Sequence, residues 1–172
     1  MKLLKIGSIE IPQHATLDLD QTFEPIGGET ILRTVSGLGI KQATWRKLRT
    51  TISGGGWSPS GLAAIDYTQQ QAIACITPLS VNANISREAT LPAARRSDSG
   101  YLPYGFAFLA DGGRVHTPAV MIGNVATLDA VTGAIGYQAL YYPLLTCWAN
   151  RPTEGVSRAD ASYRWELIAE EV

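Results

Sequence analysis

The stretch Tyr104-Gly105-Phe106-Ala107-Phe108-Leu109-Ala110-Asp111-Gly112-Gly113-Arg114-Val115-His116-Thr117-Pro118-Ala119-Val120 decides the fold class. Two short runs rich in aromatic and β-branched residues flank Asp111-Gly112-Gly113. An Asp-Gly pair supplies the positive φ that a tight hairpin turn requires. The reading is two antiparallel strands, 104–110 and 114–120.

Working outward, the same grammar repeats. A second hairpin is expected between 120–128 and 134–142 through 129–133, followed by strand at 144–149, a turn at 150–155 and a last strand at 162–169. In that last segment Tyr163, Trp165, Leu167 and Ala169 alternate with Arg164, Glu166, Ile168 and Glu170, the period of a half-buried strand. Upstream, 3–11 reads as a strand or strand pair nicked at Gly7-Ser8. Strands are also expected at 16–23, 30–35, 40–53 and 72–79. Pro25 and Gly27-Gly28 are read as punctuation, and Gly54-Gly55-Gly56 as the end of a strand, because glycine adds no side-chain packing and loses much backbone entropy there. Residues 60–71 are the one candidate for a short helix. The segment 82–101 reads as a long polar loop with few apolar anchors, of the kind that carries function. The expectation is an all-β fold, a single-domain sandwich or barrel over 1–172 with at most one short helix.

Composition agrees. The chain has 172 residues, 45% of them hydrophobic, and a net charge of −1, which argues against disorder and against a polyanion-binding or membrane-surface role. Charged residues are 17%, below the roughly 25% of ordinary soluble proteins. No run approaches the length of a membrane span, and the first residues lack the apolar core of a signal peptide. Cys75 and Cys147 lie far apart without metal-site spacing; they could pair, but the favoured reading is two buried thiols of a reducing compartment.

Signals for chemistry are sparse. His14 and His116 have no second ligand at a fixed offset. The glycine run leads into Trp57-Ser58-Pro59 rather than a lysine-bearing helix start, so it is no phosphate cradle. Asp18 and Asp20 share a strand face, but nothing nearby in sequence completes a calcium site or an acid/base pair. No catalytic residue, metal ligand or cofactor site is assigned.

Charge distribution is more informative. Between Ile6 and Glu29 there is no Lys or Arg, whereas Glu10, Asp18, Asp20, Glu24 and Glu29 fall there. Between Thr30 and Ile65 there is no acid, whereas Arg33, Lys41, Arg46, Lys47 and Arg49 do. Three explanations stay open: cross-strand pairing inside one chain, complementarity between neighbouring copies, and nucleic-acid binding by the 45–49 strand. The last fits poorly with a single basic strand in a neutral chain. Arginine outnumbers lysine ten to four, a bias shared with protein interfaces. The interface candidates are Arg33, Trp45, Arg46, Lys47 and Arg49, then Arg95 and Arg96 in the long loop.

The segments Phe23-Glu24-Pro25-Ile26-Gly27-Gly28, Leu32-Arg33-Thr34, Ile40-Lys41-Gln42-Ala43-Thr44-Trp45-Arg46-Lys47, the 53–57 glycine run, Gly61-Leu62 and the ending 163–172 together resemble small β-rich tail and baseplate proteins of long-tailed bacteriophages. The resemblance implies a structural virion component made in the host cytoplasm and assembled in a ring, commonly sixfold, at or near the end of the tail tube. It implies copies of itself and other tail proteins as partners, and no enzymatic activity. The competing expectation is a carbohydrate-binding β-sandwich of a receptor-binding apparatus, with Trp57, Trp148, Tyr101 or Tyr104 as stacking platform. A hydrolase using Asp18 and Asp20 is the third.

Overall fold

A computed structural model describes residues 4–172. The chain is all-β, with 59% of residues in strands and no α-helix among the described residues. In order the strands are β1 (Lys5–Ile6), β2 (Ile9–Glu10), β3 (Asp18–Arg33), β4 (Gly39–Gly56), β5 (Gln71–Ala74), β6 (Leu79–Asn82), β7 (Glu88–Thr90), β8 (Tyr104–Leu109), β9 (Arg114–Ile122), β10 (Val125–Leu128), β11 (Ala134–Tyr141), β12 (Leu144–Ala149), β13 (Thr153–Ser157) and β14 (Ser162–Glu171). The expected helix at 60–71 is only a 3-10 turn, Leu62–Ala64, and a second such turn covers Gln13–Ala15. The backbone forms two compact units. One comprises residues 4–5 with 73–145, the other residues 6–72 with 146–172.

The first unit is built on a six-stranded sheet of order β6-β11-β8-β9-β10-β7. Its two end strands follow each other in the chain through a turn at 83–87, in which Asn84 Oδ1 accepts from Glu88 N–H at 3.0 Å and Arg87 takes φ 63°. The sheet therefore curls into a nearly closed barrel. Ala89, Leu91, Ala126, Leu128, Ala139 and Tyr141 fill it. Gly105 is required there, since a Cβ would stand 2.6 Å from the Leu128 side chain.

The Asp111-Gly112-Gly113 hairpin forms as read, with Gly112 at φ 84° and Asp111 Oδ1 accepting from Gly113 N–H at 2.9 Å. The second expected hairpin does not. β9 turns back at Gly123 onto β10, while β11 pairs with β8 and β6 instead. Gly123-Asn124 supplies a tight turn one run earlier than Asp129 does, and it captures the partner strand. The 82–101 segment is also less loop-like than its polarity suggests. It contains β7, and Ala89, Leu91, Arg96 and Tyr101 are buried.

In the second unit β14 lies between β4 on one side and β12 followed by β13 on the other, and β3 pairs with β4 as the last strand of the sheet. The alternation read at 163–169 holds: Trp165, Leu167 and Ala169 are buried and their neighbours are exposed. Several boundaries differ from the sequence reading, and β13 begins inside the expected 150–155 turn. β3 runs unbroken through Pro25 and Gly27-Gly28, and β4 runs through all three glycines of 54–56. The glycines belong inside the strand because larger groups press on it. A Cβ on Gly54 would meet the Trp165 ring at 2.5 Å, and one on Gly56 would overlap the carbonyl of His14.

Candidate assembly surface

The β3–β4 hairpin positions most of the residues singled out by sequence. Strands of 16 and 18 residues are about three times the usual length. They have a common burial limit. Gln21 and Thr50 are the last buried residues on each strand, and none of residues 22–49 is buried. Beyond the last contacts of β14 with residues 47–49, the hairpin is a two-stranded ribbon up to its turn. At ~3.4 Å per residue the twelve residues from Thr22 to Arg33 span roughly 40 Å.

The ribbon is well specified. At its bulge, Gly28 faces both Thr44 and Trp45, since Gly27 pairs with Arg46 and Glu29 with Ala43. Gly28 admits the Trp45 indole, whose Nε1 would lie 2.7 Å from an added Cβ, and Thr44 Oγ1 donates to Gly28 O at 2.9 Å. At the tip Gly37 takes φ 83°, Leu38 N–H donates to Thr34 Oγ1 at 3.1 Å and Arg33 Nη1 to Gly37 O at 3.1 Å. Ile31, Leu32, Val35, Leu38, Ile40 and Trp45 are all more than half exposed. A polar ribbon would be self-sufficient in water; this one displays large apolar side chains at and near its tip.

The block charge asymmetry resolves mainly inside the chain. Glu29 takes Lys41 Nζ at 2.5 Å and Arg46 Nε at 2.8 Å. Arg49 reaches Glu170 at 2.7 Å and Glu24 at 3.1 Å, its direct neighbours on β14 and β3. Lys47 Nζ donates to the Val172 carbonyl. Lys41, then Arg46, hold the Glu29 carboxyl below its ordinary pKa, while Glu170 and then Glu24 raise that of Arg49. Cross-strand pairing, the plainest of the three explanations, thus accounts for Arg46 and Arg49. Arg33 has no carboxylate partner among the described residues.

The two loop arginines are tied down within the first unit. Arg95 donates to Pro92 O, Asn124 Oδ1 and Gly123 O, pinning the loop to the β9–β10 turn. Arg96 is only 7% exposed. It donates to Ala74 O and Cys75 O at 3.1 and 3.0 Å, grips Asp98 with two nitrogens and stacks 3.1 Å over the Tyr101 ring. As an interface candidate Arg96 is therefore replaced by a structural role. Sequence polarity alone carried no sign of that.

Two other surfaces bear on the competing readings. Asp18 and Asp20 line an open groove of about 540 Å³ on the sheet of the second unit, together with Glu154, Glu166 and Arg164. Sequence spacing missed Glu154 and Glu166, which arrive from β13 and β14. All four carboxylates are exposed, and no three metal-binding side chains cluster among the described residues. In the first unit Tyr104 stacks on His116 with centroids 5.3 Å apart, beside Leu102, Pro103, Pro118 and Tyr142 in a groove of about 600 Å³. Tyr101 is buried, Trp148 is half exposed and Trp57 is 71% exposed against His14.

Comparison with known proteins adds nothing to this geometry. No protein-family model, curated protein or solved structure matches the chain.

Proposed function

We propose that this chain is a structural building block of a phage tail or baseplate, joined in a ring at or near the tube end to copies of itself and to other tail proteins. One observation carries the assembly part of that reading: the 22–49 part of the hairpin buries no residue yet displays six large apolar side chains. Each such side chain contributes about 1.5–3 kcal/mol when fully buried, so the ribbon gains most when a second polypeptide covers it. The tail assignment itself rests on the sequence resemblance.

The test is to replace residues 29–43 by an Asn-Gly turn and compare both proteins by electron microscopy, alone and with purified tail particles. The full chain is expected to form rings or to join the tail, and the shortened chain to stay folded and apart. Equal behaviour of the two proteins overturns the reading.

A second reading, a carbohydrate-binding module, draws on the Tyr104–His116 stack, because flat rings beside a groove are the usual seat of a sugar face. It predicts saccharide-dependent chemical shifts at His116 that Tyr104→Ala abolishes. An unchanged spectrum across a panel of cell-surface saccharides removes it.

A further inference from the structure

Strand β3 is the last of its sheet, and among the described residues nothing pairs with its outer edge. Edges of this kind are normally guarded. The ribbon's other edge is: β4 carries Lys41, Arg46, Lys47 and the Thr44–Trp45 bulge there. On β3 the guard is Pro25, toward the base, and beyond it the edge reads Glu29-Thr30-Ile31-Leu32-Arg33.

That pentapeptide is complementary to itself. Laid antiparallel against a second copy about Ile31, it sets Ile31 opposite Ile31 once, on the two-fold axis, and Glu29 opposite Arg33 and Thr30 opposite Leu32 twice each. Residues 29, 31 and 33 share one face of the ribbon, where Ile31 lies over Gly39. Residues 30 and 32 share the other, where Leu32 pairs with Ile40. Arg33, which lacks a carboxylate partner among the described residues, would gain one. Glu29 already holds two cations, but an ionised carboxylate has about four acceptor sites. Opposite charges facing across strands stabilise a pair, and like charges oppose it.

We infer that the outer edge of β3 pairs with the same strand of a second copy, antiparallel about Ile31, joining two ribbons into one four-stranded sheet. The contact is isologous: residue i meets j and j meets i, so by itself it closes a pair, and a ring requires a second, different contact. The inference rests on the assembly reading only in that both require another chain.

Cysteine substitution reads the register directly. Opposed residues of an antiparallel pair lie about 4.5–5.5 Å apart, within disulfide range, and both native cysteines are buried. Ile31→Cys is therefore expected to form a covalent dimer in diamide. Thr30→Cys and Leu32→Cys should each stay monomeric alone but cross-link when mixed. Separately, Glu29→Arg and Arg33→Glu should each raise the dimer dissociation constant about tenfold, and the double variant should return it to within about threefold. None of these side chains is buried, and melting curves check that each variant is folded. Absence of the Ile31→Cys dimer, or a double variant no tighter than the singles, overturns the pairing. If the chain still joins tail particles in that case, the assembly reading stands and only the strand pairing falls; if it does neither, both fall.

Discussion

The Gln21 side-chain amide donates to Thr50 Oγ1 at 3.1 Å, and this diagonal pair marks where the β3–β4 hairpin leaves the protein interior. Thr50 in turn donates to the Thr22 carbonyl at 3.0 Å. Below the pair the strands are held by Ile52 and its buried neighbours, and above it by contacts of residues 47–49 with the end of β14 and then only by their own ladder and the bulge. Thr50→Val keeps the shape but removes both hydrogen bonds at a fully buried site. The expected loss is about 1–3 kcal/mol, read from urea unfolding, with faster amide exchange beginning at Thr22.

The glycine run gives a sharper contrast, because its three members sit in different surroundings. Gly54 faces the Trp165 ring, whose Nε1 is fixed by donating to Ala15 O at 2.9 Å, so the indole has little freedom to yield. Gly54→Ala is expected to cost about 1–3 kcal/mol through overpacking. Gly56→Ala, which would strike the His14 backbone, should cost at least as much. Gly55→Ala finds its nearest contact at an ordinary 3.4 Å and should fall within about 0.5 kcal/mol of the parent. Equal melting temperatures for the three variants would contradict this account of the strand.

Arg96 should behave as part of the first unit's core. Arg96→Ala leaves the Ala74 and Cys75 carbonyls without that donor and Asp98 without its fork, for an expected loss of about 3 kcal/mol. Arg96→Lys recovers little, since one ammonium cannot reproduce the planar geometry.

Hydrogen bonding to Arg96 lowers the Asp98 pKa. Its folded value lies below the unfolded one, so the stabilisation is complete above the ordinary Asp range near ~3.9 and is lost as pH falls through the depressed value. Because Asp98 is half exposed, solvent screens the pair and the effect should be modest. Asp98→Asn should flatten the acid limb of the stability profile and leave the neutral limb's shape unchanged.

Glu29 follows the same sign. Lys41 and Arg46 depress its pKa, so its pairs persist at neutral pH and dissolve only below the usual Glu range near ~4.3. Carboxyl NMR titration should place Glu29 below the ordinary glutamate range. Lys41→Met should move it upward, more than Arg46→Met does.

Much of the fold was legible because strand alternation is a local property. Tyr163 to Glu170 announce a buried and an exposed face without reference to any partner, and Asp111-Gly112-Gly113 carries its own turn chemistry. The candidate surface was legible in part. The opposite charge of neighbouring blocks drew attention to Arg33, Trp45, Arg46, Lys47 and Arg49, and the structure places all five on the β3–β4 hairpin. Their meaning was not legible, since Glu29 and Glu170 meet their cations only through the register of β3, β4 and β14.

By itself, then, the sequence determined the all-β class, the two faces of its last strand and the Asp111-Gly112-Gly113 hairpin, each set by residues within a few positions of one another. Tertiary structure alone decided that three glycines lie inside a strand, that Arg96 is buried, and that β11 joins β8 rather than β10. Each of those outcomes depends on groups from distant parts of the chain competing for the same space and the same hydrogen bonds, and no local pattern encodes which one wins.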